Sequence, residues 1–104
     1  MIPVKFLIIS TALLLLSKAN YSQVDGEMIF MENCVACHTV GGGQLVGPDL
    51  AGVQSRHDEQ WLKDFIKSSQ TMIQAGDEKA VKLFNENNMI VMPDQPLADE
   101  EITA

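Results

Sequence analysis

Two cysteines and a histidine stand within five residues of one another in the run Cys34-Val35-Ala36-Cys37-His38. These are the chain's only cysteines, and His57 is its only other histidine. Such a cluster suits three chemistries. The sulfurs can add to the two vinyl groups on one edge of a porphyrin while the imidazole binds its iron. The same atoms can ligate zinc, or the two thiols can cycle as a thiol–disulfide couple.

Spacing separates these options. On a helix, Cys34, Cys37 and His38 lie three and four residues apart and project toward one side, and C-x-x-C-H is the signature of c-type haem attachment. A closed zinc site needs four protein ligands, and only Cys34, Cys37, His38 and His57 qualify, without a second cysteine pair. A thioredoxin-like couple belongs in a βαβ context, and no strand-like alternation of useful length is present. A Cys34–Cys37 disulfide would close too small a loop to stabilise the fold much. Haem is the favoured reading.

The elements that must position this cluster can be read outward from it. Asp25 is placed to N-cap a helix running through the motif, with Met28, Ile29, Phe30, Met31 and Val35 as its apolar stripe, and the glycines at 41–43 end it. Residues 45–56, with Gly47, Pro48 and Gly52, read as an ordered loop. From Asp58 onward Trp61, Leu62, Phe65 and Ile66 mark one face of a helix of about three turns. Residues 68–77 read as a short helix closed by Gly76. Asp77 caps another helix, whose apolar face is Ala80, Val81 and Phe84. Pro93 and Pro96 exclude helix from residues 89–97, and a last helix begins in the acidic run Asp99-Glu100-Glu101. The expected fold class is all-α.

Bulk properties set the frame. With 104 residues the chain has room for one small domain. Lys5, the apolar run from Phe6 to Ser17 and the small-x-small pattern Ser17-Lys18-Ala19 read as a secretory signal peptide over residues 1–22, cut between 19 and 22. The apolar run is about a dozen residues, short of the roughly 20 that span a bilayer as a helix. Membrane contact follows only if the segment stays uncleaved as an anchor. The remaining domain, 23–104, is of a size that often needs a cofactor, metal or disulfide to complete its core. Without Lys5 and Lys18, five basic residues face all 14 acidic ones. No Lys/Arg cluster is present, so nucleic acid is not an expected partner. A protein with a basic patch is, through salt-sensitive steering; the less favoured alternative is that the acidity serves solubility alone.

With this pentapeptide the chain resembles the class I (mitochondrial/bacterial-type) monohaem cytochromes c, over about Asp25 to Ile102. Gly26 and Phe30 precede Cys34 at the G-x-x-x-F-x-x-x-C spacing of that family's first helix. Residues 47–52 (Gly-Pro-Asp-Leu-Ala-Gly) are similar to its loop over the proximal side of the haem. Residues 92–102, opening Met-Pro-Asp, are similar to the segment that delivers the distal methionine and turns into the last helix. The resemblance implies the cytochrome c fold: short helices wrapped around one haem c held covalently by Cys34 and Cys37. It implies iron ligated by His38 and Met92, and a Pro48 carbonyl accepting the other ring N–H of His38. Met89 is the nearest rival to Met92, while Met28, Met31 and Met72 are expected in the core. His57 reads as a solvated helix-end residue. Arg56 is a candidate for a haem propionate or a plain surface arginine. Trp61 is expected in the core, its indole N–H seeking a partner that could be a propionate. In the family the last helix crosses the first at the glycine matching Gly26; here the helix is expected to be truncated, since the sequence stops at Ala104.

The function implied is electron transfer by a periplasmic monomer, not an enzyme, shuttling single electrons between redox partner proteins. Two alternatives stay open: a haem domain or subunit of a larger oxidoreductase, and a ligand-binding or peroxidatic haem protein with a labile distal methionine. No carboxylate pair with a poised base, Ser/His/Asp set or phosphate loop accompanies the motif.

Overall fold

The computed structural model describes residues 24–104, so the signal-peptide segment lies outside the described residues. Five helices follow one another: α1 (Gly26–Asn33), α2 (Val53–Arg56), α3 (Glu59–Gln74), α4 (Glu78–Glu86) and α5 (Asp99–Thr103). No strand occurs among the described residues. Three helices start where an aspartate can cap them. Asp25 accepts from Met28 N–H, Asp58 from Trp61 N–H and Asp77 from Ala80 N–H, each satisfying an amide that the first turn leaves without a partner.

Helix α1 is shorter than its apolar stripe suggests. It ends at Asn33, whose side-chain amide donates to the Ile29 carbonyl, and Cys34 to Cys37 form consecutive turns. Met28 and Met31 are each 57 % exposed, which corrects their expected place in the core. Only Ile29 and Phe30 of that stripe turn inward, because a helix of two turns presents a single narrow face.

Residues expected as two helices, from Asp58 and from Ser68, form one element, α3, with a break at Ser68 (φ −159°, ψ 89°). The expected loop 45–56 contains the single turn α2. Helix α3 packs on α4, and α5 packs on both α1 and α3. At the α1–α5 contact a Cβ on Gly26 would come within 2.3 Å of the Ala104 carbonyl carbon. The first and last helices therefore approach as closely as the resemblance implies.

Ala80 is the one hydrophobic residue fully buried among those described. The inward faces of α1, α3 and α4 are half-buried because they line a cavity of about 800 Å³. The interior of this small domain is a binding space.

Candidate functional site: the cavity and its axial groups

Cys34, Cys37 and His38 stand on one wall of the cavity, and Met92 also lines it. The turns after α1 create the first wall. Cys34 N–H and Val35 N–H both donate to the Phe30 carbonyl, and Cys37 and His38 donate to the Cys34 carbonyl. This tight path, rather than a continuing helix, gathers the three side chains. Both thiols are half-buried. Burial pushes the Cys34 thiol above its ordinary value, and the neighbouring Cys37 adds to the rise.

His38 is only 9 % exposed, and its Nδ1 lies 2.8 Å from the Pro48 carbonyl oxygen. A carbonyl can only accept, so Nδ1 carries the proton and Nε2 keeps a free lone pair for a metal. Such a partner fixes ring orientation and makes the imidazole a stronger ligand. Gly47 lies hard against the ring, where a Cβ would come within 2.5 Å of His38 Cε1.

The loop carrying Gly47 and Pro48 is tied at several points. Gly47 N–H donates to the Cys37 carbonyl at 2.7 Å, and Leu50 N–H to the Thr39 carbonyl at 2.9 Å. Asp49 accepts from the amides of Gly41, Gly43 and Ala51, each at 2.8 Å. Gly41 and Gly43 have φ near +90°, a conformation glycine adopts without penalty, and it lets both amides converge on one carboxylate. Those N–H groups, Gly41 first, hold the Asp49 carboxyl below the usual carboxylate range.

The Met92 side of the cavity is built differently. After α4 the chain passes through two consecutive left-handed residues, Asn88 (φ 60°) and Met89 (φ 54°). Neither is glycine, so this turn stores strain. The segment that follows runs without helix to Ala98 and places Met92 on the cavity wall, whereas Met89 is 63 % exposed. Ser69 Oγ donates to the Met92 carbonyl at 3.0 Å.

His57 departs from its expected place, while Arg56 and Trp61 have protein partners of their own. The Arg56 guanidinium donates to the Ala51 carbonyl at 2.7 Å, and Arg56 is not part of the cavity wall. Trp61 lines the cavity, and its indole N–H donates to Asp77 Oδ1 at 3.1 Å, so the N-cap of α4 supplies a partner for the indole. The Asp77 carboxyl is held low by the Ala80 amide and then by that indole. His57, expected in solvent, is half-buried in the wall and stacks on Trp61 with ring centroids 4.4 Å apart. Its Nδ1 is buried without a protein partner, and burial lowers its affinity for a proton. The charged neighbours of His57 hid this placement; its position four residues before Trp61 on the inward face was the available signal.

The donors fit haem c. Two thiols beside one free imidazole nitrogen, a methionine on the same cavity and an apolar space within the size range of cofactor pockets (about 300–1,000 Å³) are what that group requires. Zinc is not favoured: among the described residues no three His, Cys, Asp or Glu side chains converge to hold an ion.

Comparison with known proteins agrees. The family model described as cytochrome c matches residues 23–104, and the chain belongs to that family as a class I monohaem cytochrome c. Cytochrome c-551 of Bacillus subtilis (strain 168) is 31 % identical over 52 residues, which is 50 % of this chain and 46 % of that protein. The match thus spans about half the length of that relative. The cytochrome c domain of the pp3183 protein from Pseudomonas putida superimposes with a TM-score of 0.66 at 36 % identity, over 76 % of this chain and 78 % of the other. A cytochrome c from Rhodothermus marinus gives a TM-score of 0.67 at 25 % identity, covering 83 % and 77 %. The family supports a haem electron-transfer protein whose haem c, with its iron, is covalently bound.

Proposed function

We propose that the chain is a periplasmic electron carrier in which Cys34 and Cys37 hold the haem through thioether bonds and His38 and Met92 are the axial ligands. The single observation that carries this reading is the placement of His38 and Met92 on one cavity, with His38 Nδ1 committed to Pro48 and Nε2 left free. When bound, the haem supplies an iron that changes oxidation state by one electron. The protein's own groups do the rest. Pro48 orients His38 and fixes its tautomer; Met92 would be the second iron ligand and would favour the ferrous state. The apolar wall would exclude water from the bound group.

Redox partners would dock weakly, through interfaces below about 1,200 Å², guided by the chain's acidity toward a basic patch. Exchange with a cationic partner should therefore slow as salt rises, and a rate indifferent to salt would remove the steering claim. Ligation is tested by the ferric optical spectrum of haem-loaded protein beside Met92→Ala. A weak far-red sulfur-to-iron band present in the first and absent in the second supports the assignment. Its absence from the parent protein would replace the carrier with an open, ligand-binding haem site.

A further inference from the structure

Helix α3 is broken at a single residue, and the break coincides with the only two hydrogen bonds that the described structure gives from α3 to the Met92 segment. Ser68 leaves helical geometry (φ −159°, ψ 89°). In an uninterrupted helix Thr71 N–H would donate to the Lys67 carbonyl, four residues back. Here Thr71 N–H turns instead to Ser68 Oγ at 3.3 Å, and Ser68 Oγ also contacts Thr71 Oγ1 at 2.7 Å. Ser68 thus caps the second half of α3 from within.

The exchange frees the Lys67 carbonyl, which accepts from Gln95 N–H at 3.2 Å. One residue beyond the break, Ser69 is 1 % exposed and its hydroxyl donates to the Met92 carbonyl at 3.0 Å. The two bonds clip the distal segment at Met92 and at Gln95, on either side of Pro93. Upstream, the same segment leaves the strained pair Asn88 and Met89. A strained entry favours release of the segment; the clip opposes it.

We propose that the break in α3 is a positioning device for the distal ligand, with Ser69 as its central residue: its buried hydroxyl holds the backbone of Met92 and so sets how often the methionine sulfur leaves the iron. The inference rests on the reading of Met92 as that ligand. Ser69 does not touch the iron; it acts through the Met92 backbone.

The test uses an external ligand that competes with Met92. Imidazole binds the ferric protein only when the sulfur is off, so its apparent affinity scales with the population of that open state. Removing one buried hydrogen bond shifts such an equilibrium by roughly five- to tenfold. The Ser69→Ala haem-loaded protein should therefore bind imidazole about five- to tenfold more tightly than the parent, while keeping the far-red band in imidazole-free buffer. A control, Gln74→Gly, weakens the exposed last turn of α3 through helix propensity alone and should leave imidazole affinity at the parent value. Equal affinity in Ser69→Ala and parent overturns the proposal. So does an equal rise in both variants, which would trace the effect to general loosening of the helix. If the parent itself lacks the far-red band, the ligand assignment fails rather than the clip alone, so the two failures are distinguishable.

Discussion

Replacing Gly47 by alanine probes the proximal side at its tightest point. The added Cβ would lie 2.5 Å from His38 Cε1 and 2.9 Å from Nδ1, whereas carbon atoms rest at about 3.5–4.0 Å. Ring and loop must separate by about 1 Å. The loop is tethered by Gly47 N–H to the Cys37 carbonyl at 2.7 Å, so the strain falls on the 2.8 Å contact between His38 Nδ1 and the Pro48 carbonyl. Opened by about 1 Å, that contact no longer qualifies as a hydrogen bond. Two consequences are separable. Overpacking of this kind is destabilising by about 1–3 kcal/mol, and a domain this small loses about 4–8 °C in Tm for each kcal/mol. Loss of the carbonyl partner makes the imidazole a weaker donor, which disfavours the ferric state and raises the reduction potential. Outer partners of metal-bound histidines are worth about 10–100-fold; each tenfold falling on the ferric state alone is about 59 mV. Thermal unfolding and a redox titration of the haem-loaded variant measure both. An unchanged Tm together with an unchanged potential would refute the reasoning.

At the other close approach, Gly26→Val should force α1 away from Ala104 and lower stability by about 1–3 kcal/mol, read as a fall in Tm. Met28→Gln and Met31→Gln replace residues more than half exposed, so each should shift unfolding free energy by less than about 0.5 kcal/mol; a larger loss in denaturant titration would return them to the core. Acid stability should depend on Asp49, whose pKa is depressed in the folded state. A depressed carboxylate contributes stability above its ordinary value of 3.8 and loses it as pH falls through the lower folded value. Asp49→Asn should therefore melt lower than the parent at neutral pH and show a shallower decline below pH 3.8, followed by circular dichroism against pH.

Legibility from sequence followed the range of the interactions involved. The motif and the caps at Asp25 and Asp77 are set by neighbours three or four residues away, so spacing alone reveals them. The break at Ser68 was visible as a boundary between two helical patterns, though one continuous element spans it. What escaped depends on long-range contacts. The Trp61 indole meets Asp77 sixteen residues on, and no local pattern announces that Ser69 will meet Met92 across 23 residues. His57 and Arg56, in adjacent positions, have partners only four and five residues away. A histidine among charges turned inward, and an arginine available for an anion turned back to its own loop, because the chain passes from helical Arg56 to extended His57 at the end of α2. Met28 and Met31 misled for another reason: hydrophobicity names candidates for burial but cannot supply the surface that covers them.

The cavity explains why a covalent bond to the cofactor serves this chain. With Ala80 its only fully buried hydrophobic residue among those described, the domain gains little from packing its own side chains together. Its half-buried aromatic and aliphatic residues complete their burial only against the group that fills the 800 Å³ space. A reversibly bound cofactor would stabilise such a fold by an amount that rises and falls with its free concentration. Two thioether links remove that dependence, since a tethered group remains at high effective concentration however dilute the surroundings. In the proposed assignment Cys34 and Cys37 would act on stability as well as on retention. The two proposed ligands differ accordingly: His38 follows Cys37 directly and is fixed by the turn that carries it, while Met92 sits 54 residues further along and must be held by contacts of its own. That asymmetry is why the proximal side is knit by a carboxylate taking three amides, and why the distal side depends on a clip formed by the break in α3.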